Sequence, residues 1–222
     1  MAFTDWEIIA STSNITASLQ TLDPISGLSS IQFIGQAGFT SMGIVAQVDP
    51  DSVLTRGFSR GKIRTLVELQ NLGSVSAQQL FKAGIFFLAD DPDFGGTTGN
   101  AYMVGPNASD DTIDLHYTSI AQPDSGVIAT APLQDSFGFQ LDAVYPIEVE
   151  WWASLEELGG VRIIVRHGTQ QDFSDLEDVI DIIDAPGNTT GTGYEGIFCA
   201  KDSASFGTPH WMIDNTSIWS IS

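Results

Sequence analysis

The chain has very little sulfur and very little positive charge. Its 222 residues include one cysteine, Cys199, and 8 lysine or arginine residues against 28 aspartates and glutamates. A single cysteine excludes an intrachain disulfide and a zinc site built from cysteine thiolates. The formal net charge of −20 would repel a nucleic-acid backbone and an anionic membrane surface. We therefore expect neither as a partner, and a fold held together by packing alone.

Long apolar runs are also missing. The longest, residues 83–89, is far shorter than the roughly 18 residues that a membrane-spanning helix needs. The first basic residue is Arg56, so the N-terminal region lacks the positive segment of a secretory signal. Hydrophobic residues still make up 42% of the chain, which is enough for a core. No linker divides the sequence, so we predict one globular domain over residues 1–222.

Most of the chain consists of short apolar or alternating runs between turn residues. Residues 62–70 show the period of two, with Ile63 and Val67 on one face and Lys62 and Arg64 on the other. About a dozen such runs predict an all-β fold, a two-sheet antiparallel β-sandwich of the jelly-roll type with at most one or two short helices. Residues 174–183 are the exception, because a capping-box pattern and a helical apolar stripe favour a short helix there.

An acidic and aromatic stretch is the first candidate site. Glu148 and Glu150 are two residues apart and so share one face of a strand, with Trp151 and Trp152 beside them. The adjacent tryptophans must point to opposite faces, and an exposed indole suits stacking on a sugar or a protein interface. Paired carboxylates are also the groups that glycosidases use. A solvated strand face on an acidic protein is the alternative explanation of the same pair.

An aspartate-rich loop is the second candidate. Asp90, Asp91 and Asp93 supply the hard oxygen ligands that calcium prefers. A turn in which the aspartates bond to nearby backbone accounts for the same residues. We therefore expect no cofactor, with calcium at this loop as the alternative. A G-x-S-x-G string around Ser59 is read as a turn, because no helix pattern follows it.

The end of the chain carries a family resemblance. The segments GYEGIFCA at residues 193–200 and HWMIDNTSIW at residues 210–219 resemble the closing strands of concanavalin A-like lectin/glucanase jelly rolls, including laminin G-like modules. Residues 144–154 and 161–168 resemble the central hairpin of that family. The resemblance implies the β-sandwich fold. Neither the calcium site of the lectins nor the acid motif of the glucanases can be placed on this sequence, so their activities do not transfer.

Composition suggests the leading functional hypothesis. An acidic, disulfide-free β-sandwich with few lysines resembles phage virion proteins such as capsid decoration, tail or fibre components. The hypothesis is a non-enzymatic virion structural protein, with no catalytic residues, that contacts other virion proteins or copies of itself. The alternative is a lectin-like, carbohydrate-binding module for host receptors, extracellular or on a cell surface, which would bind glycans through Glu148, Glu150, Trp151 and Trp152. A third hypothesis is a glycoside hydrolase that pairs one of these glutamates with Glu68 or Glu195.

Overall fold

The regular structure is entirely β. The computed structural model describes residues 6–11, 15–20, 25, 30–35, 41–47, 59–70, 81–89, 100–119, 126–134, 137–154, 160–184, 194–201 and 210–221. Within these ranges there is no helix, and so none that could cross a membrane. The strands are β1 (Trp6–Ser11), β2 (Ile15–Gln20), β3 (Ser30–Gly35), β4 (Ser41–Gln47), β5 (Arg60–Leu69), β6 (Phe81–Ala89), β7 (Asn100–Asn107), β8 (Thr112–Ser119), β9 (Val127–Pro132), β10 (Val144–Ser154), β11 (Gly160–His167), β12 (Glu177–Asp184), β13 (Tyr194–Lys201) and β14 (His210–Ser220).

The described strands form two antiparallel sheets of seven. Sheet A has the order β1-β4-β13-β6-β7-β8-β9, and sheet B has the order β12-β11-β10-β5-β14-β3-β2. Many neighbours within a sheet are far apart in sequence, because the chain crosses repeatedly from one sheet to the other. The predicted all-β, two-sheet antiparallel sandwich is confirmed.

Alternation along the strands separates the core from the surface. On β5, Ile63 and Val67 are fully buried between the sheets, whereas Lys62, Arg64 and Glu68 are only half-buried on the opposite side. This is the pattern that the sequence predicts for β5. A face that buries apolar side chains fixes the register of its strand, since a slip of one residue would bury the charges instead.

Trp151 anchors sheet B to sheet A. Its indole is 1% exposed and stacks on Phe87 of β6, with the ring centroids 5.0 Å apart. Gly61 lies opposite Trp151 in the register of β5 and β10, and a Cβ atom there would overlap the indole. Trp152, the next residue, therefore lies on the outer side of the sheet.

The helix predicted over residues 174–183 is wrong. These residues instead contain most of β12, which pairs with β11 through Ile180↔Val165 and Asp181↔Ile164. Ser174 does not cap a helix; its backbone N–H bonds to the carboxylate of Asp172 in a turn. Valine and isoleucine favour strands, and pairing with β11 satisfies the backbone groups that a short helix would leave open at its ends.

Alanine substitutions in the adjacent tryptophans should have unequal effects on stability. Trp151→Ala leaves a cavity between the sheets, and we expect the free energy of unfolding in urea to fall by about 3–5 kcal/mol. Trp152→Ala removes a half-buried ring from the outer side of the sheet, and we expect a loss of about 1 kcal/mol or less. Equal losses would contradict the assignment of the two faces.

Candidate functional site

The outer side of sheet B concentrates the positive charge of the chain. We call the part formed by β11, β10, β5 and β14 the charged face. Five of the 8 basic residues of the chain lie on it or at its edge. Its members alternate with core residues along each strand, and antiparallel pairing brings them together across strands. They are Arg60, Lys62, Arg64, Glu148, Glu150, Trp152, Arg162, Ile164, Arg166 and Trp219.

Glu148 is the centre of an ion-pair network. Its side chain is largely buried, and its Oε1 accepts hydrogen bonds from Lys62 Nζ at 2.9 Å and from Arg166 Nη1 at 2.8 Å. The Arg166 guanidinium also donates to Glu150 Oε2 at 3.1 Å and to Asp178 Oδ1 at 2.7 Å. One arginine thus links three strands, and both predicted glutamates are engaged by cations.

The network raises the pKa of Arg166. Burial alone would lower the pKa of Arg166, but hydrogen bonds to Glu148, Asp178 and Glu150 raise it, and the net shift is upward. Glycosidases need one carboxyl group that can donate a proton. Here both glutamates share Arg166 as a hydrogen-bond donor. Of the acids considered as partners, Glu195 lies in β13 of the other sheet, whereas Glu68 lies on the outer side of β5, four residues from the position opposite Glu148.

Two tryptophans flank the network. The Arg60 guanidinium lies 5.1 Å from the ring centroid of Trp152, and the Arg64 guanidinium lies 5.1 Å from that of Trp219. Phe173 stacks on Arg64 as well, at 4.7 Å. Such cation–π contacts hold the indoles in place on an exposed surface. Trp219 remains 38% exposed, so it can still contact a ligand.

A β-bulge turns Trp219 outward. Trp211 and Trp219 are eight residues apart on β14 and would share one face of a regular strand. The pairing of β14 with β5 shifts between Asp214 and Ser217, and Asn215 has a φ of 49° within the irregularity. Trp211 is consequently buried in the core, whereas Trp219 lies on the charged face.

Two open pockets lie on the charged face. The Trp152 pocket has a volume of about 90 Å³, and the larger Trp219 pocket has a volume of about 310 Å³. Both combine an indole with cationic and carboxylate groups, the mixture of apolar and polar contacts typical of a ligand site. The Trp152 pocket is lined by Arg60, Glu150, Trp151, Trp152, Arg162 and Ile164, and the Trp219 pocket by Lys62, Arg64, Glu148, Trp219 and Ile221.

The structure brings three of the four predicted glycan-contacting residues together. Glu148, Glu150 and Trp152 lie on one face, as their alternation with Trp151 requires. Trp151 is the exception: its ring is in the core, so it offers a ligand almost no surface. Sequence reasoning missed Trp219 and the arginines, although the alternating basic residues of β5 are a visible signal of a charged strand face.

The predicted calcium loop cannot be compared with the structure in the same way. Asp90, Asp91 and Asp93 lie outside the described residues, so calcium binding there stays a prediction. Within the ranges that the structure describes, histidine, cysteine and acidic side chains form no group of three or more that could hold a metal ion.

A second polar cluster lies on the side of sheet A that faces away from the core. His116 Nε2 is 3.0 Å from Lys82 Nζ and 3.5 Å from Asp114 Oδ2. The Asp114 carboxylate also accepts hydrogen bonds from Asn107 and Thr112, each at 2.7 Å. Burial raises the pKa of Asp114, but its hydrogen bonds with His116, Thr112 and Asn107 and the charge of Lys82 outweigh burial, so the pKa is lowered.

Known proteins resemble this chain in fold. No protein-family model matches it, and no curated protein matches it in sequence. An endo-β-1,4-glucuronan lyase from the fungus Trichoderma reesei superposes with a TM-score of 0.61 at 10% identity, over 97% of this chain and 90% of that chain. The marine PL-14 alginate lyase from Aplysia kurodai gives 0.60 at 11% identity, over 94% and 91%. The exoplasmic/lumenal domain of VIP36, solved with Ca²⁺ and Man3GlcNAc, gives 0.51 at 10% identity, over 96% and 84%.

These similarities establish the fold. The chain has the concanavalin A-like lectin/glucanase β-sandwich fold that its closing strands and central hairpin resemble in sequence. The fold is shared by lyases and by sugar-binding domains, so the site has to decide the function.

Removing the charge of Glu148 should destabilise the protein. Glu148→Gln leaves Lys62 and Arg166 without the carboxylate they share, and we expect urea unfolding to show a loss of about 2–4 kcal/mol. Asp181→Asn is the control, because the Asp181–Arg162 pair is 45% and 44% exposed and we expect it to contribute about 1 kcal/mol or less. A loss for Glu148→Gln no larger than that of the control would contradict the role of Glu148 as centre of the network.

The lowered pKa of Asp114 should appear in the acid stability of the protein. Because the folded-state pKa lies below the unfolded one, Asp114 contributes stability above about pH 4 that is lost as the pH falls through the folded-state value. Unfolding free energies measured from pH 5 to pH 2 should therefore depend less on pH in Asp114→Asn than in the parent protein. Identical slopes in the two proteins would refute the assignment.

Proposed function

We propose that this protein binds carbohydrate through the charged face. The observation that carries the proposal is the pair of indoles, Trp152 and Trp219, each stacked against an arginine and each lining an open pocket. The flat apolar face of an indole suits the C–H face of a sugar ring, and the surrounding charged groups suit its hydroxyls. A buried structural network would not place two tryptophans at solvent-open pockets.

The fold comparisons support this choice of ligand class. The three similar structures are a glucuronan lyase, an alginate lyase and a domain bound to Man3GlcNAc, so each of these proteins acts on or holds a carbohydrate. The identities of 10–11% transfer neither substrate nor mechanism. The proposal for this chain therefore depends on the tryptophans and pockets of the charged face.

The hydrogen bonds of the two glutamates favour a binding role over hydrolysis. Glu148 and Glu150 both accept hydrogen bonds from Arg166, and Glu148 also accepts one from Lys62. In this arrangement both carboxylates are hydrogen-bonded to cations of the face, which suits a role in positioning those cations. We accordingly assign the glutamates a structural and ligand-contacting role.

The phage virion hypothesis concerns where such a protein would work. A structural role in a virion, with other virion proteins as partners, stays a prediction from composition. It is compatible with the carbohydrate proposal, since a fibre or decoration protein with a glycan-binding face would meet host surface sugars. Native mass analysis of the protein alone and with particles tests that assembly role independently of glycan binding.

Carbohydrate binding should depend on both exposed indoles. On a glycan array followed by calorimetry, we expect Trp152→Ala and Trp219→Ala each to weaken binding about tenfold, because each removes a stacking surface. Phe137→Ala is the control, since Phe137 is an exposed aromatic that lines neither pocket. An array without any bound glycan, or binding unchanged in both tryptophan variants, would overturn the proposal.

A further inference from the structure

One of the five basic side chains of the charged face forms no ion pair with a described carboxylate. Four basic side chains and four carboxylates form the ion pairs, counting Asp178 and Asp181 at the β12 edge. Each carboxylate already contacts at least one of four cations, and none of these contacts involves Arg64. The pairs are Glu148 with Lys62 and Arg166, Glu150 with Arg60 and Arg166, Asp178 with Arg166, and Asp181 with Arg162.

Arg64 is the remaining cation. Within the part of the chain that the structure describes, no carboxylate forms an ion pair with it, although Glu148 lies directly opposite in the register of β10. Its guanidinium instead contacts the rings of Phe173 and Trp219, 4.7 and 5.1 Å from their centroids, and among the described residues its buried Nε has no hydrogen-bond acceptor. The rings fix the plane of the guanidinium but accept no strong hydrogen bond from it.

Arg64 also lines the larger pocket. The Trp219 pocket places the guanidinium beside the Lys62 ammonium and an exposed indole. A planar guanidinium held in one orientation matches a carboxylate or a sulfate ester, which can accept two parallel hydrogen bonds from it. A neutral sugar would leave the charge without a counterion.

Resting on the proposed function, we propose that the glycan is acidic, and that Arg64 binds its carboxylate or sulfate group while the sugar ring stacks on Trp219. The anionic group enters without displacing an existing ion pair, because the other cations of the face already have carboxylate partners. Lys62, which also lines the pocket, adds a second positive charge nearby.

The overall charge of the chain makes this recognition short-ranged. A net charge of −20 repels a polyanion, but at physiological ionic strength salt largely screens that repulsion beyond about 8–10 Å. A hydrogen bond between the Arg64 guanidinium and an anionic group is much shorter than this screening distance. The acidic glycan is thus selected by contact with one guanidinium and is not attracted by a broad basic surface.

The arrangement of the pockets also predicts a preference for chains. Arg60 and Arg64 are four residues apart on β5, which corresponds to about 13 Å along the strand. The Trp152 pocket lies at the Arg60 end and the Trp219 pocket includes Arg64. An oligosaccharide of several rings can therefore contact both indoles at once.

The test compares two glycans with the same backbone. Cellohexaose and the hexasaccharide of β-1,4-linked glucuronic acid differ in carrying a hydroxymethyl or a carboxylate group on each ring. By calorimetry we expect the acidic hexasaccharide to bind about tenfold more tightly, as one charge-assisted bidentate contact allows. In Arg64→Gln the ratio of the two affinities should fall to about one. Arg64→Lys, which retains the charge without the planar pair of donors, should give an intermediate ratio.

The outcomes separate this inference from the function it rests on. Equal affinities of the parent protein for both hexasaccharides, or a ratio unchanged in Arg64→Gln and Arg64→Lys, would overturn the acidic-glycan assignment and leave carbohydrate binding standing. Competition by inorganic sulfate as strong as by the acidic hexasaccharide would overturn it too, since the pocket would then recognise any small anion. No binding of either hexasaccharide together with a blank glycan array would overturn the proposed function itself. Unfolding curves of both variants establish that the compared proteins are folded.

Discussion

The antiparallel register between β5 and its neighbour β10 is the constraint on which the rest of the structure depends. It pairs Ile63 with Val149 on the core side and Arg64 with Glu148 on the outer side. Because side chains alternate strictly, one register serves both purposes: it packs the apolar residues between the sheets and places opposite charges across neighbouring strands. A slip by one residue would lose the core and the charged face together. The position of every group in the candidate site is thus tied to the stability of the sandwich.

The charged face follows from that register and from the shortage of basic residues. A chain with 8 basic residues in 222 places five of them on or beside one sheet surface, where carboxylates from two strands hold four of them in ion pairs. Salt bridges on an open surface contribute little each, but a network centred on a buried glutamate fixes side-chain positions. This fixed frame leaves two indoles and one arginine available to a ligand. Pre-ordered groups lose less entropy on binding, which suits recognition of flexible, well-hydrated sugars.

The sequence predicted the features that follow from alternation along a single strand. It failed to predict the features that depend on contacts with neighbouring strands. The period of two in β5 predicted its two faces, and adjacency alone predicted opposite orientations for Trp151 and Trp152. Which of the two is buried depends on Gly61 and Phe87, which come from other strands. The helix prediction for residues 174–183 failed because pairing with β11 outweighed a helical stripe. Trp219 was missed because the bulge at Asn215 reverses the faces of β14. Arg64 could not be singled out before the ion pairs of the carboxylates on the charged face were known, since only these show that no described carboxylate pairs with it.

The central claim is that a sugar contacts the charged face at Trp152 and Trp219. The most direct measurement is a two-dimensional ¹H–¹⁵N NMR titration of the protein with the β-1,4-linked glucuronic acid hexasaccharide, observing the indole N–H signals. The account predicts that the signals of Trp152 and Trp219 move in a saturable way while those of the core residues Trp151 and Trp211 stay in place. Movement of the core signals without the surface ones, or no movement at millimolar ligand, would contradict it.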